Sequence, residues 1–140
     1  MPMIDVIAPA DLFPIGAERE LAERMTAALL RAEGVSAPTA AHLNNTAAYI
    51  HRSPAEAVHT AATGSARVVR VQVLTPPAAL TRVGQKQLVA DLTAIVADVA
   101  GDPAQAGRTW VLLTEAAEGG WGIAGTAFGR EEFAALLTPH

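Results

Sequence analysis

The sequence has no cysteine, few aromatic residues and little charge. The absence of cysteine excludes disulfides, iron–sulfur clusters and thiolate zinc sites. Charged residues make up 17% of the chain, the net charge is −4, and lysines and arginines form no run. Nucleic acid and anionic membrane surfaces are therefore poor partners for this protein.

Other short patterns that would indicate a membrane segment, a metal or a phosphate group are also missing. No apolar run approaches the length of a membrane span, so we expect a soluble, cytoplasmic protein. The four histidines have neither i,i+4 nor H-x-H spacing beside acidic residues, which argues against a metal site. Gly119-Gly120 is not followed by a strand-to-helix turn with lysine, so it is not a phosphate loop. We expect no cofactor.

The chain is instead rich in hydrophobic residues, which make up 51% and include much alanine. Its length suits one domain, or two half-size units that share a core. Apolar runs predict four strands, and helical spacing of apolar residues predicts three helices. The predicted strands are Met3–Ile7, Leu43–His51, Arg67–Thr75 and Thr109–Glu115, and the predicted helices are Ala17–Glu33, Arg82–Ala100 and Arg130–Leu137.

Shifting the chain against itself by 67 positions reveals a duplication. Val6 then meets Val73, Leu21 meets Leu88, and Gly34 meets Gly101, so strand, helix face and helix end all coincide. The chain is therefore predicted to be one domain (1–140) of two β-α-β units, about 1–65 and 66–140.

Two such units predict an α/β fold: a four-stranded sheet with two helices on one face. The other face of the sheet would be uncovered in a single chain, and apolar strands do not tolerate this in water. We therefore expect the protein to self-associate through that face or through its edges.

The Met1-Pro2 start has two interpretations. Methionine-removing machinery usually processes this pair, which would leave Pro2 as a secondary amine at the head of a strand. Alternatively, Pro2 simply begins an edge strand, where its missing N–H costs nothing. At offset 67 Pro2 aligns with Val69, whose nitrogen is a mid-chain amide. Each chain would therefore have one such amine.

Several of these features resemble the tautomerase superfamily typified by 4-oxalocrotonate tautomerase. The matching residues are Pro2 on its strand, the β-α-β unit, and Val111–Glu115 followed by Gly120-Trp121-Gly122-Ile123-Ala124-Gly125. The second segment is similar to the family's strand and aromatic-Gly-Ile-Gly-Gly hairpin. The resemblance covers nearly the whole chain as two fused units and is looser in the first.

The resemblance implies a homotrimer that acts on a small carboxylic acid with Pro2 as the catalytic residue. A free α-amine has a pKa of roughly 7.7–8, which burial or a nearby arginine lowers, so Pro2 could act as a base in tautomerisation. With Pro2 protonated, the same site could decarboxylate or hydrolytically dehalogenate a small unsaturated acid. A non-catalytic trimeric binding protein is the third possibility.

The resemblance also indicates substrate-binding residues, each with a structural alternative. The family's arginine positions fall on other residues here. The candidate carboxylate ligands are therefore the nearest arginines: Arg82, which could equally be a solvated arginine at a helix start, and Arg108, two residues before the aligned Trp110, for which binding and no binding are equally favoured. Trp121 matches the hairpin aromatic that walls the family's pocket, or it is a packing residue. Tyr49 is placed to donate to an oxyanion, with packing as its alternative role.

Overall fold

Four strands of seven residues each form the central sheet: β1 Met3–Pro9, β2 Ala47–Ser53, β3 Val69–Thr75 and β4 Thr109–Glu115. Their order is β2-β1-β3-β4. The computed structural model describes residues 2–62 and 66–138. Met1 lies outside the described residues, so its expected removal stays a prediction.

Among the described residues, three helices lie between the paired strands of the two units, and a fourth follows the last strand. They are α1 Glu18–Ala32, α2 Ala40–Asn44, α3 Arg82–Ala100 and α4 Arg130–Leu137. A small hairpin of β5 Trp121–Ile123 and β6 Thr126–Phe128 precedes α4, and 3-10 turns cover Ala55–Ala57 and Pro103–Arg108. The glycines predicted to end α1 and α3 do so: Gly34 and Gly101 have φ values of +82° and +69°, which favour glycine.

The strand register relates the two units by an approximate two-fold axis. β1 is parallel to β2, with Met3 opposite Ala47, and β3 is parallel to β4, with Val69 opposite Thr109. The two central strands, β1 and β3, are antiparallel, with Met3 opposite Leu74. The repeat therefore places Pro2 and its counterpart Val69 at opposite ends of the sheet.

The core lies between the sheet and helices α1 and α3. Alternate residues of β1 and β3 point into it, as period-two patterning dictates. Full burial of each such aliphatic side chain contributes roughly 1.5–3 kcal/mol. The largest fully buried side chains include Ile4, Val6, Leu21, Met25, Leu29, Val69, Val71, Val73, Leu88, Leu92 and Val96.

Among the described residues, no α-helix covers the opposite face of the sheet, as predicted from the repeat. Here we call it the helix-free face: Met3, Asp5, Ile7, Tyr49, His51, Arg70, Gln72, Trp110 and Leu112. Tyr49, Trp110 and Leu112 are 51%, 55% and 43% exposed in the single chain. The His51 ring and the Asp5 carboxylate pair across β2 and β1 at 3.2 Å.

The predicted α/β fold of two β-α-β units is confirmed, with one difference in the first unit. The second strand was expected from Leu43, but residues Ala40–Asn44 form α2 and the strand starts at Ala47. The Thr39 side chain and the His42 ring close a capping box that begins this helix. Pro2 precedes an interior strand, which rules out the edge-strand interpretation.

Candidate active site

One end of the sheet, here called the Pro2 end, collects termini from both units. β1 begins there, and α1 ends there because it returns antiparallel to β1. β3 and β4 end there, with Leu74 opposite Met3 and Glu115 beside Thr75. α3 begins there because it follows β3, which ends at the Pro2 end. Groups that are distant in sequence thus meet around Pro2.

Pro2 is buried at this end of the sheet. Its carbonyl accepts a hydrogen bond from the Ala47 N–H at 3.2 Å, which fixes the residue to the start of β2. Pro2 has the same parity as Ile4 and Val6, so its ring lies on the helix side of the sheet. The position predicted to be catalytic is therefore enclosed rather than frayed.

Thr75 lies directly across the sheet from Pro2. The antiparallel register sets Met3 opposite Leu74, and one more step sets Pro2 opposite Thr75. Thr75 is 1% exposed, and its hydroxyl has no hydrogen-bond partner in the part of the chain that the structure describes. Its Cβ and that of a directly opposed residue are typically about 4.5–5.5 Å apart. A buried hydroxyl is thus available beside Pro2.

Glu33 follows the last turn of α1 at the same end. Its Oε1 atom is inaccessible to solvent. Burial raises the pKa of this carboxyl above its ordinary value, and the positive charge of the amino terminus acts against that shift. A carboxyl group with a buried oxygen therefore follows the end of α1, at the Pro2 end of the sheet.

Sequence reasoning missed both polar groups, although each breaks a visible apolar pattern. Thr75 continues the inward-facing series Val69, Val71 and Val73 of β3. Glu33 is four residues after Leu29, which is itself four after Met25 on the buried face of α1. A polar residue at a core-facing position next to a predicted site is the signal that could have found them.

Arg82 is the one predicted arginine at the Pro2 end. It is the first residue of α3, is exposed, and donates from Nη1 to the Gln85 side-chain oxygen at 3.3 Å. A surface depression of about 530 Å³ beside β4 contains it together with Lys86, Val111 and Leu113. The guanidinium is therefore near the site and is placed to meet an anion.

Arg108 lies at the other end of the sheet. It ends the Pro103–Arg108 turn just before β4, roughly 20 Å from the Pro2 end at about 3.3 Å per strand residue. Its Nη2 donates to Asp102 at 2.8 Å and to Gln105 at 3.1 Å. Within one chain the structure does not bring Arg108 to Pro2 and gives it structural contacts.

Trp121 begins the β5–β6 hairpin, in a segment that leaves β4 at the Pro2 end. The following helix, α4, contacts α2, which precedes β2 at the same end. The hairpin turns at Ala124-Gly125, where both residues have positive φ. Trp121 is half-buried. The predicted wall residue thus sits on a segment that crosses this end of the sheet.

Tyr49 is close to the same end but on the other side of the sheet. It is opposite Asp5 in β1, and its side chain points to the helix-free face. Pro2 and Tyr49 are therefore separated by the sheet within one chain. Tyr49 can reach a Pro2 site only if a second copy presents it.

The described residues at the Pro2 end offer proton-transfer groups and a cation. Across residues 2–62 and 66–138, no cluster of three or more His, Asp or Glu side chains could hold a metal ion. No helix in these ranges is both long and apolar enough to cross a membrane. The polar groups that the structure shows at this end are a carboxyl, a hydroxyl and an exposed guanidinium.

The fold is that of solved structures of the tautomerase superfamily. A fused 4-OT symmetric trimer has a TM-score of 0.76 and 20% identity, covering 95% of this chain and 98% of that one. The structure of Pt0534 inactivated by 2-oxo-3-pentynoate has a TM-score of 0.75 and 19% identity, covering 92% of this chain and 97% of that one. N1, a member of the cis-3-chloroacrylic acid dehalogenase family, has a TM-score of 0.73 and 21% identity, covering 98% of this chain and 92% of that one.

At these identities the likeness establishes the fold and not a particular activity. No family profile and no curated protein matches the sequence. The resemblance read from Pro2 and the Trp121 hairpin is thus confirmed as a shared architecture.

Proposed function

We propose that this protein is a cofactor-independent tautomerase, an isomerase that interconverts the keto and enol forms of a small 2-oxo carboxylic acid. The observation that carries the proposal is the enclosed position of Pro2 at the head of an interior strand. The fold, which matches fused 4-OT structures over nearly all of both chains, supports it.

In this proposal, the Pro2 amine removes a proton from the carbon next to the carbonyl and returns one at another position. The intermediate enolate is anionic and needs a cation or hydrogen-bond donors already in place. Arg82 is the nearest predicted cation and would bind the substrate carboxylate or this enolate. Trp121 would limit the access of water to the site and keep the surroundings of the Pro2 amine apolar.

We propose a homotrimer as the working assembly. The exposed side chains of Tyr49, Trp110 and Leu112 on the helix-free face provide apolar surface for association. A fused 4-OT structure with the same fold is a symmetric trimer. A neighbouring copy would also supply the groups, Tyr49 and Arg108, that one chain holds away from its own Pro2.

The test is proton exchange at C3 of phenylenolpyruvate, compared between the wild type and Pro2→Ala after intact mass has confirmed loss of Met1. The proposal predicts exchange that falls at least about 100-fold in the variant, the usual contribution of a general base. Retention of Met1, or no exchange above the uncatalysed rate together with no release of CO₂ or halide, would instead favour a non-catalytic binding protein.

Glu33 favours one alternative function. A carboxylate near an amine stabilises the ammonium, and a protonated Pro2 would act as an acid. The same site would then decarboxylate or hydrolytically dehalogenate a small unsaturated acid. Release of CO₂ or halide from such acids, without exchange on phenylenolpyruvate, would identify this activity.

A further inference from the structure

Two polar side chains occupy core-facing positions at the Pro2 end, where the rest of the buried face is apolar. Thr75 extends the inward series of β3 and is 1% exposed. Glu33 extends the buried face of α1, and its Oε1 atom is sealed from solvent.

The close approach of two helices holds these groups together. A β-carbon on Gly84, in the first turn of α3, would lie 2.7 Å from the carbonyl oxygen of Ala32. The end of α1, where Glu33 follows, is thus pressed against the start of α3 above the end of the sheet. Thr75 and Pro2 lie at this same end of the sheet, opposite one another at the end of β3 and the start of β1.

We propose that Glu33 and Thr75 are positioning residues for the Pro2 amine, and that together they stabilise its protonated form. The inference deepens the proposed function, because it assigns what controls the proton on the group that would perform the chemistry. In physical terms, the carboxylate supplies an opposite charge and the hydroxyl supplies an acceptor for an N–H of the ammonium.

The geometry is clearest for the hydroxyl of Thr75. An unmade hydrogen bond on a buried polar group costs about 1–3 kcal/mol, so a fully buried threonine is usually paired. The hydroxyl of Thr75 has no partner among the described residues, while its neighbour across the sheet is the one proline whose nitrogen can become an amine. Release of that amine would provide the missing partner.

Other charges near this end are exposed and are screened by water. They are Arg31 on α1, Arg82 and Lys86 on α3, and Glu115 at the end of β4. His42 of α2 is half-buried, and its Nδ1 atom is engaged with Thr39. Of these charged groups, Glu33 is therefore the one with an oxygen atom sealed from water, so its field is screened least.

The test is an NMR titration of ¹⁵N-proline-labelled protein. Of the nine prolines, only an N-terminal Pro2 carries a titrating amine, so its pKa is read without any substrate. We expect Glu33→Gln to lower this pKa by about one unit or more, the effect of removing a neighbouring opposite charge. Thr75→Val should lower it by less, and Thr75→Ser should restore it.

Two variants on exposed helix surfaces serve as matched controls. Glu23→Gln removes a carboxylate from α1 that pairs with Arg19, and Thr93→Val removes a hydroxyl from α3 that bonds its own helix at Val89. Both should leave the Pro2 pKa unchanged. Circular dichroism establishes that each variant is folded, and the isosteric Thr75→Val tests the proposal if Glu33→Gln does not fold.

A Pro2 pKa that Glu33→Gln and Thr75→Val leave at the wild-type value would overturn the inference. So would retained Met1, because Pro2 would then have an amide nitrogen. A shifted pKa without exchange on phenylenolpyruvate would support this inference while rejecting the tautomerase proposal. Exchange activity with a Pro2 pKa that the variants do not shift would support the tautomerase proposal and reject this inference.

Discussion

The carbonyl oxygen of Ala32 faces Gly84 so closely that a β-carbon there would lie 2.7 Å away. This contact joins the last turn of α1 to the first turn of α3. Glycine removes the side chain that would otherwise separate the two helices, and thereby sets how closely they approach above the Pro2 end.

We therefore expect Gly84→Ala to destabilise the protein by about 1–3 kcal/mol, because the backbone carbonyl of Ala32 cannot move aside cheaply. The helix propensity gained by alanine, about 1 kcal/mol, acts against this cost. Urea unfolding measures the difference. Gly107→Ala is the control, since nothing lies within 4 Å of its β-carbon position. A Gly84→Ala protein as stable as the wild type would contradict the packing argument.

Arg52 fixes the loop between β1 and α1. Its guanidinium donates to the carbonyls of Ala10, Phe13 and Pro14 at 2.9, 2.8 and 2.6 Å, and also pairs with Glu18. This hydrogen bond holds the pKa of the Glu18 carboxyl below its ordinary value.

We expect Arg52→Ala to lower the free energy of unfolding by about 2–3 kcal/mol, because three carbonyls lose a charged donor. Urea unfolding and proteolysis within residues 10–16 would both report the change. Arg19→Ala, which removes an exposed pair on α1, is the matched control and should leave the unfolding midpoint close to that of the wild type.

The raised pKa of Glu33 has a consequence for stability. A carboxyl that is harder to ionise when folded binds more protons in the native state than in the unfolded state. The free energy of unfolding should therefore fall as the pH rises from about 4.5 through the raised pKa. Glu33→Gln should flatten this part of the profile in chemical unfolding between pH 4 and 8. A difference between the two proteins that does not change with pH would contradict it.

Arg82 and Arg108 should respond differently to mutation. If Arg82 binds the substrate carboxylate, Arg82→Gln should raise KM about tenfold or more, with little change in stability. Arg108→Gln breaks contacts to Asp102 and Gln105, so it should chiefly lower the unfolding midpoint. Steady-state kinetics measures the change in KM, and thermal unfolding measures the change in stability, so together they distinguish the two variants. A KM effect for Arg108 in a protein of normal stability would indicate that a neighbouring copy presents it to Pro2.

The helix-free face should govern assembly. Leu112→Asp places a charge among exposed apolar side chains of the sheet and should convert the oligomer to monomer. Sedimentation velocity measures the change. Ile15→Asp is the control, because Ile15 is fully exposed in the loop before α1. A trimer that tolerates the charge at Leu112 would place the interface on the sheet edges instead.

The sequence predicted well those elements whose signals repeat over many residues. The bounds of α3, β4 and α4 were predicted correctly, and in α3 the apolar periodicity and the terminal Gly101 agree. α2 was missed because five residues are too short for periodicity, and its beginning depends on a capping box that includes an unusual histidine.

The candidate site was only partly predictable. Pro2 follows from its position in the chain, but the end of the sheet at which an arginine lies depends on the antiparallel pairing of β1 with β3. That pairing places Arg82 at the Pro2 end and Arg108 at the other. Thr75 and Glu33 break an apolar pattern in the sequence, but only the strand register and the direction of α1 place them at the Pro2 end.

The approximate two-fold axis between the units has a stoichiometric consequence. Because Val69 occupies the place of Pro2 at the far end of the sheet, the proposed function gives each polypeptide one proline amine and not two. A reagent that alkylates secondary amines should therefore saturate at a single equivalent per polypeptide. At the far end, Arg108 donates to Asp102 and Gln105, and Gln105 donates to the carbonyl of Arg67 before β3.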